Sequence, residues 1–212
     1  LQTTKIKYAA GSALLLCIAT LVKLPFILYG SFMLTFVLVQ MWRKEFTGKQ
    51  LLKAILIYAA CIVPPAAWYA TVIPTWNNGV VKGILDTQQN IKELLHILTH
   101  TLVSTLPELL LNYGSVLFFV AGIIYLFRSK AYKQPYFLPF LALGISVILY
   151  FLFEMNMITT VHDYYLFPFL PLLFLLVGYG GYKLLGMPGK LQVALAALCL
   201  LFLPLTAFLR AD

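Results

Sequence analysis

YAAGSALLLCIATLVKLPFILYGSFMLTFVLVQMW, residues 8–42, decides the fold: two apolar runs separated only by Lys23, Leu24 and Pro25. Each run is at or below the roughly 17–25 residues that an upright helix needs to cross a bilayer. As one broken helix, about 35 residues would overshoot any bilayer. Pro25 favours the start of a new helix, because its fixed φ and missing N–H suit a first turn. The reading is therefore a tight hairpin with a lysine at a tip recessed below the membrane surface.

Working outward, the rest of the chain repeats this character. Of 212 residues, 62% are hydrophobic and only 10% charged, with a mean hydropathy of +0.92. Soluble domains carry about 25% charge. So little charge cannot cover a water-soluble core, and lipid is the matching solvent. Seven apolar stretches stand out, at 8–22, 26–42, 54–73, 113–127, 136–153, 166–182 and 191–209. The expectation is an all-α membrane protein, a polytopic bundle of about seven transmembrane helices in one domain over residues 1–212. Leu1 in place of Met suggests a piece of a longer protein.

Charge placement orients it. With the N-terminus cytoplasmic and all seven stretches crossing, eleven Lys and Arg fall inside and four outside (Lys23, Lys82, Lys92 and Arg210). That bias obeys the positive-inside rule. It also accounts for most of the +8 net charge, with anionic headgroups rather than nucleic acid as the partner. Six of the seven acids lie outside as well. The long outer connection, residues 74–112, holds Ile84, Ile91, Leu94, Leu95, Leu98 and Leu102 at helical spacing. It is expected to form an amphipathic helix on the membrane or on the other spans.

The polar residues collect on the outer side: Glu154 and Asn156, then His162, Asp163, Tyr164 and Tyr165, with Lys23 at its turn. A recessed lysine suits a lipid phosphate, since low dielectric strengthens the pairing. Tyrosine hydroxyls and a histidine add hydrogen bonds to phosphate oxygens. Glu154 and Asp163 are alternative ligands for a sugar, a metal or an amine. Each has a plainer reading. Lys23 reads equally well as snorkelling to the headgroups, the tyrosines as an aromatic belt, and His162–Asp163 as the cap of the sixth span. His96 and His100 sit i, i+4 but lack a third ligand, so no metal site is assigned. Pro64 and Pro65 are expected to kink the third span. Gly178, Gly180 and Gly181 are expected to allow close helix packing. Cys17, Cys61 and Cys199 read as packing residues.

The run from Gly11 to Lys23, followed at once by an apolar helix, resembles polyprenyl-phosphate-sugar-dependent membrane glycosyltransferases. These are relatives of protein O-mannosyltransferases and of the aminoarabinose transferases that modify lipid A. The stretch His162–Asp–Tyr–Tyr165–Leu–Phe–Pro168 resembles a second family segment, in which His and Tyr precede a proline-started helix. The resemblance covers nearly the whole chain through short motifs. It implies a C-type glycosyltransferase fold, a polyprenyl-phosphate sugar donor, and an acceptor protein, lipid or glycan on the outer face. It implies that Lys23 meets the donor phosphate, with His162, Tyr164 and Tyr165 completing the pocket. Such enzymes carry their catalytic acid in an earlier outer loop, so this chain is expected to be the C-terminal half, inactive alone, with its catalytic residue unassigned. Whether a divalent metal takes part is open. The expected location is a bacterial plasma (inner) membrane. Rival readings are a transporter or flippase of lipid-linked precursors, a non-enzymatic membrane subunit, and an oligosaccharide polymerase or ligase.

Overall fold

The computed structural model describes residues 2–76, 90–158, 163–186 and 189–208. Among them every regular element is helical. Four helical stretches are long and apolar enough to cross a membrane: Leu24–Trp42, Gly48–Thr75, Phe137–Met155 and Tyr165–Leu185. This is the construction of an integral membrane protein. Three more apolar helices, Ile6–Val22, Val116–Arg128 and Gln192–Thr206, fall short of that length. The chain divides into two compact units, residues 1–87 with 134–157, and residues 88–133 with 158–212.

The first unit opens with α1 (Gln2–Val22), a 3-10 helix (Leu24–Leu28), α2 (Tyr29–Trp42) and α3 (Gly48–Val72). The 3-10 turn runs directly into α2, and this lengthens the second stretch beyond its sequence estimate. α3 likewise starts six residues earlier than expected. Thr47 and Gln50 form a reciprocal capping box there, the Thr47 side chain accepting from the Gln50 amide, which satisfies two otherwise orphaned donors. The helix continues through Pro64 and Pro65 as one element, with Pro65 buried.

Small residues on α1 let its neighbours approach. Ala9 clusters with Val37 of α2 and Ala54 of α3, and Gly30 of α2 faces Leu16, whose Cδ2 would lie 3.4 Å from an added Cβ. These pairs fold α2 back along α1 around Lys23, the hairpin read from the sequence. α3 runs parallel to α1: Tyr58 bonds Ser12 at 2.6 Å, and further along Tyr69 donates to the Leu21 carbonyl at 3.4 Å. α6 (Phe137–Ile158) packs antiparallel to α2 through Phe32–Phe140 (ring centroids 5.0 Å) and Phe36–Tyr136 (6.0 Å). Leu143, Val147, Phe151 and Met155 form its buried stripe, yet Leu141, Ile145, Ile148, Leu149 and Leu152 stand exposed on the other face. A helix that is apolar all round needs an apolar surrounding.

The second unit holds α4 (Ile91–His100), a π-helical segment (Thr101–Leu110), α5 (Val116–Arg128), a 3-10 helix (Asp163–Phe169), α7 (Leu170–Leu185) and α8 (Lys190–Phe208). α5 starts after Tyr113, which has a φ of 38° and lies outside the helix. Its contact with α7 is backbone to backbone. A Cβ on Gly122 would run into the Leu176 carbonyl, and one on Gly180 into the Phe118 carbonyl. Of the expected glycine trio, Gly180 makes the close approach, Gly181 touches only the Phe118 ring, and Gly178 faces open space. Phe118, Ala121, Leu184 and Ala196 complete the buried cluster, and Thr206 of α8 donates to Asn112 Oδ1 at 2.8 Å.

α4 is the amphipathic helix expected in the long connection, entered through a capping box between Asn90 and Glu93. Its buried side is Ile97 and Thr101, with Leu94 and Leu98 half-buried. Ile91, Leu95 and Leu102 are exposed. Residue 84 lies outside the described residues. The cysteines are free: Cys17 is buried, while Cys61 and Cys199 are only half-buried.

Candidate functional site at a lysine-tipped hairpin

Lys23 sits where α1 stops. Its amide still bonds the Ala19 carbonyl at 3.0 Å, while its backbone turns extended (φ −155°, ψ 121°). Lys23 is the N-cap of the 3-10 helix Leu24–Leu28, and Pro25 sits in that helix's first turn, where its missing N–H has no bond to lose. The Lys23 carbonyl then accepts from Phe26 N at 3.1 Å to start the 3-10 turn. The side chain is half-buried in this connection between the two apolar helices. Burial lowers the affinity of its ammonium for the proton below the ordinary lysine value, because desolvation disfavours charge.

Two further groups at this end of the first unit were missed in the sequence. Thr20, three residues before Lys23 in the last turn of α1, is 1% exposed, and its hydroxyl has no hydrogen-bond partner among the described residues. A buried hydroxyl without a partner is costly. Its i, i+3 spacing to Lys23 was the available signal. Tyr69 closes over the end of α1 through its bond to Leu21 and packs edge-on to Trp76, ring centroids 6.1 Å apart. Phe26 and Tyr29 stack at 5.6 Å within the turn.

Glu154 lies near the end of α6, half-buried between the buried Phe151 and Met155. Continuing the antiparallel α2–α6 register carries it to the same end of the unit as Lys23. The other assigned residues fall in the second unit. His162 lies outside the described residues. Asp163 and Tyr164 open the 3-10 helix Asp163–Phe169, and Tyr165 in the same turn is half-buried. α7 itself is preceded by Phe169, which supplies no capping side chain, so a cap from Asp163 would serve the 3-10 turn rather than α7.

His96 and His100 stack with ring centroids 6.4 Å apart on the exposed side of α4. Among the described residues no three His, Cys, Asp or Glu are grouped to hold a metal ion. The hairpin tip offers a partly desolvated cation, a buried hydroxyl and aromatic walls. A second polar cluster, also missed, lies at the opposite end of α2. Tyr136 donates to Glu45 Oε1 at 2.8 Å, Arg43 Nε donates to the same oxygen at 2.9 Å, and the Gln40 amide reaches the Tyr136 hydroxyl at 3.4 Å. Glu45 is the one acid that the charge pattern leaves on the cation-rich side. No protein-family model, no curated protein and no solved structure matches the chain.

Proposed function

We propose that the chain is part of a membrane glycosyltransferase that takes a sugar from a polyprenyl-phosphate donor and passes it to an acceptor on the outer face. The observation that carries this reading is the half-buried Lys23 at the hairpin tip, one turn from the buried Thr20 hydroxyl. As the glycosidic bond breaks, negative charge grows on the departing lipid phosphate. A fixed cation and hydroxyl donors in a low-dielectric turn stabilise that charge more than they stabilise the bound donor. In this proposal His162, Tyr164 and Tyr165 complete the phosphate pocket, and no residue is assigned as the base. The three shorter helices cross the membrane as well, for seven spans with the N-terminal end of the sequence cytoplasmic, in the plasma membrane of a bacterium.

The test is made in the full-length gene, with Lys23→Ala and His162→Ala assayed for transfer from a polyprenyl-phosphate sugar. Turnover is expected to fall on the order of 10²-fold or more, the usual loss of one charge-stabilising donor. Unchanged turnover in both variants overturns the donor site. Movement of the intact lipid-linked donor across vesicles, without release of its sugar, would favour the flippase reading. Single cysteines placed in 131–133 and at Trp76 test the topology, because labelling from the same side contradicts an odd number of crossings between them.

A further inference from the structure

The first unit contains a cavity of about 470 Å³ beside α1 and α2, far along the hairpin from Lys23. Its volume falls in the range of ordinary small-ligand pockets. Five of its lining residues are aromatic, Tyr8, Phe32, Phe36, Phe46 and Tyr58, and Met33 and Val37 add to the apolar wall. From Phe32 to Gln40 the lining follows α2 for about 12 Å. Beyond Gln40 it reaches Glu45, in the connection between the spans Leu24–Trp42 and Gly48–Thr75. One end is therefore apolar and set within the helices, and the other is polar and lies outside the spans.

Glu45 is the only charged residue lining the cavity among the described residues. The hydroxyls there have already given their protons away. Ser12 donates to the Ala9 carbonyl at 3.0 Å, so Tyr58 is the donor in the 2.6 Å bond between them. What their oxygens retain is acceptor capacity. Arg43 and Tyr136 donate to Glu45 Oε1 from outside the lining. The Arg43–Glu45 pair is solvent-exposed, its side chains 43% and 33% accessible, and such pairs hold their partners weakly. Lys44, Lys49 and Lys53 also lie outside the lining and are exposed, where salt screens them beyond about 8 Å. An anion meets no cation among the lining residues. Aromatic faces are negative and attract a cation that has left water. Rings, acceptors and one carboxylate together fit one chemistry. We infer that the cavity binds a hydrophobic ammonium, its apolar body among Phe32, Met33 and Phe36 and its nitrogen at Glu45. The site is separate from the Lys23 turn, and its test involves no sugar transfer, so either proposal can fail alone.

Purified chain in a neutral detergent would be titrated with phenylbutylamine, phenylbutanol and phenylbutanoate and read by isothermal titration calorimetry. The three share one apolar body and differ in charge. The amine is expected to bind about tenfold tighter than the alcohol, the size of one cation–π or ion-pair contact, and the carboxylate more weakly than either. Glu45→Gln keeps an acceptor for Arg43 and Tyr136. It should bring the amine down to the alcohol's affinity and leave the alcohol unchanged. Met33→Trp, which fills the apolar end, should abolish binding of all three while keeping the helical circular-dichroism signal. If Met33→Trp does not fold, Glu45→Gln decides the matter. Equal affinity for amine and alcohol in the wild type, no binding of any of the three, or an unchanged preference in Glu45→Gln overturns the inference. So does undiminished binding in folded Met33→Trp, or a wild-type dimer that Met33→Trp dissociates, which would make the cavity a protein interface.

Discussion

The α1–α3 pair of the first unit and the α5–α7 pair of the second are packed with different emphasis. In the first, α1 and α3 are joined by side chains, Ser12 to Tyr58 and Tyr69 to Leu21, and α2 meets α6 through rings and the Glu45–Tyr136 bond. In the second, α5 and α7 touch through their backbones at Gly122 and Gly180. Lipid tails are as apolar as leucine, so helices in a membrane gain little from burying leucine against leucine. What remains is close van der Waals approach or interhelical hydrogen bonding; both units use both, but the α1–α3 pair carries the longer set of side-chain bonds and the α5–α7 pair the tightest backbone approach. A backbone contact tolerates no added atom, whereas a hydrogen bond between side chains costs only its own small energy.

That contrast can be broken most sharply at Gly180. Gly180→Val pushes a side chain into the Phe118 carbonyl, which belongs to α5 and cannot swing aside. A loss of about 3 kcal/mol is expected, the scale of serious overpacking, read from dodecyl sulfate unfolding. A loss under about 1 kcal/mol would mean that α5 and α7 part easily. Gly178→Ala, two residues away with nothing within 4 Å of its Cβ position, has the opposite sign. There alanine only improves helix propensity, for a gain of up to about 1 kcal/mol in the same titration.

In the first unit, Tyr58→Phe removes the bond to Ser12 and keeps the ring. The expected cost is about 0.6 kcal/mol, the average for interhelical hydrogen bonds in membranes. A cost as large as that of Gly180→Val would erase the distinction between the two pairs. The smallest effect is on pH dependence. Tyr136 lies just before α6 and the span Phe137–Met155, and its hydrogen bond to Glu45 raises its pKa above the ordinary 10.0. The folded protein then holds this proton more tightly than the unfolded chain. The associated stability is complete below pH 10 and is lost as pH climbs through the raised value. Tyrosinate absorbance, wild type minus Tyr136→Phe, should show one late-titrating phenol that returns toward 10 in Glu45→Gln.

How much of this was legible depended on whether a feature is carried by one segment or by two. The hairpin was readable because Lys23 and Pro25 interrupt an apolar run locally, and the ends of the apolar stretches follow from composition. The glycine contact was half-readable. Gly178, Gly180 and Gly181 advertise small size, but only the partner α5, with Gly122, selects Gly180 among them. The amphipathic helix was legible, but its buried face was left open, because apolar residues lie on both sides of it, Ile97 on one and Ile91 and Leu95 on the other. Amphipathic spacing cannot choose between two apolar faces when lipid accepts one of them. The Glu45 cluster joins residues some 90 positions apart, Glu45 and Tyr136, and no local pattern announces such a pair. At the candidate site, Lys23 and Glu154 were placed at one end by helix direction alone, whereas Thr20 became visible only once its burial was known.

The hairpin also works as a ruler. Ala9 and Val37 stand equally far along the chain from Lys23, as do Leu16 and Gly30, so the two arms are matched residue for residue. At 1.5 Å per residue, the Ile6–Val22 arm measures about 26 Å against a hydrocarbon core of about 30 Å. On the seven-span reading proposed above, the arm's length sets how deep the ammonium is held, and one residue inserted into either arm would shift the tip by about 1.5 Å and turn the inserted arm's remaining side chains by about 100°. Depth and facing are coupled in such a device. A lysine placed this way can be retuned only by changing both arms together.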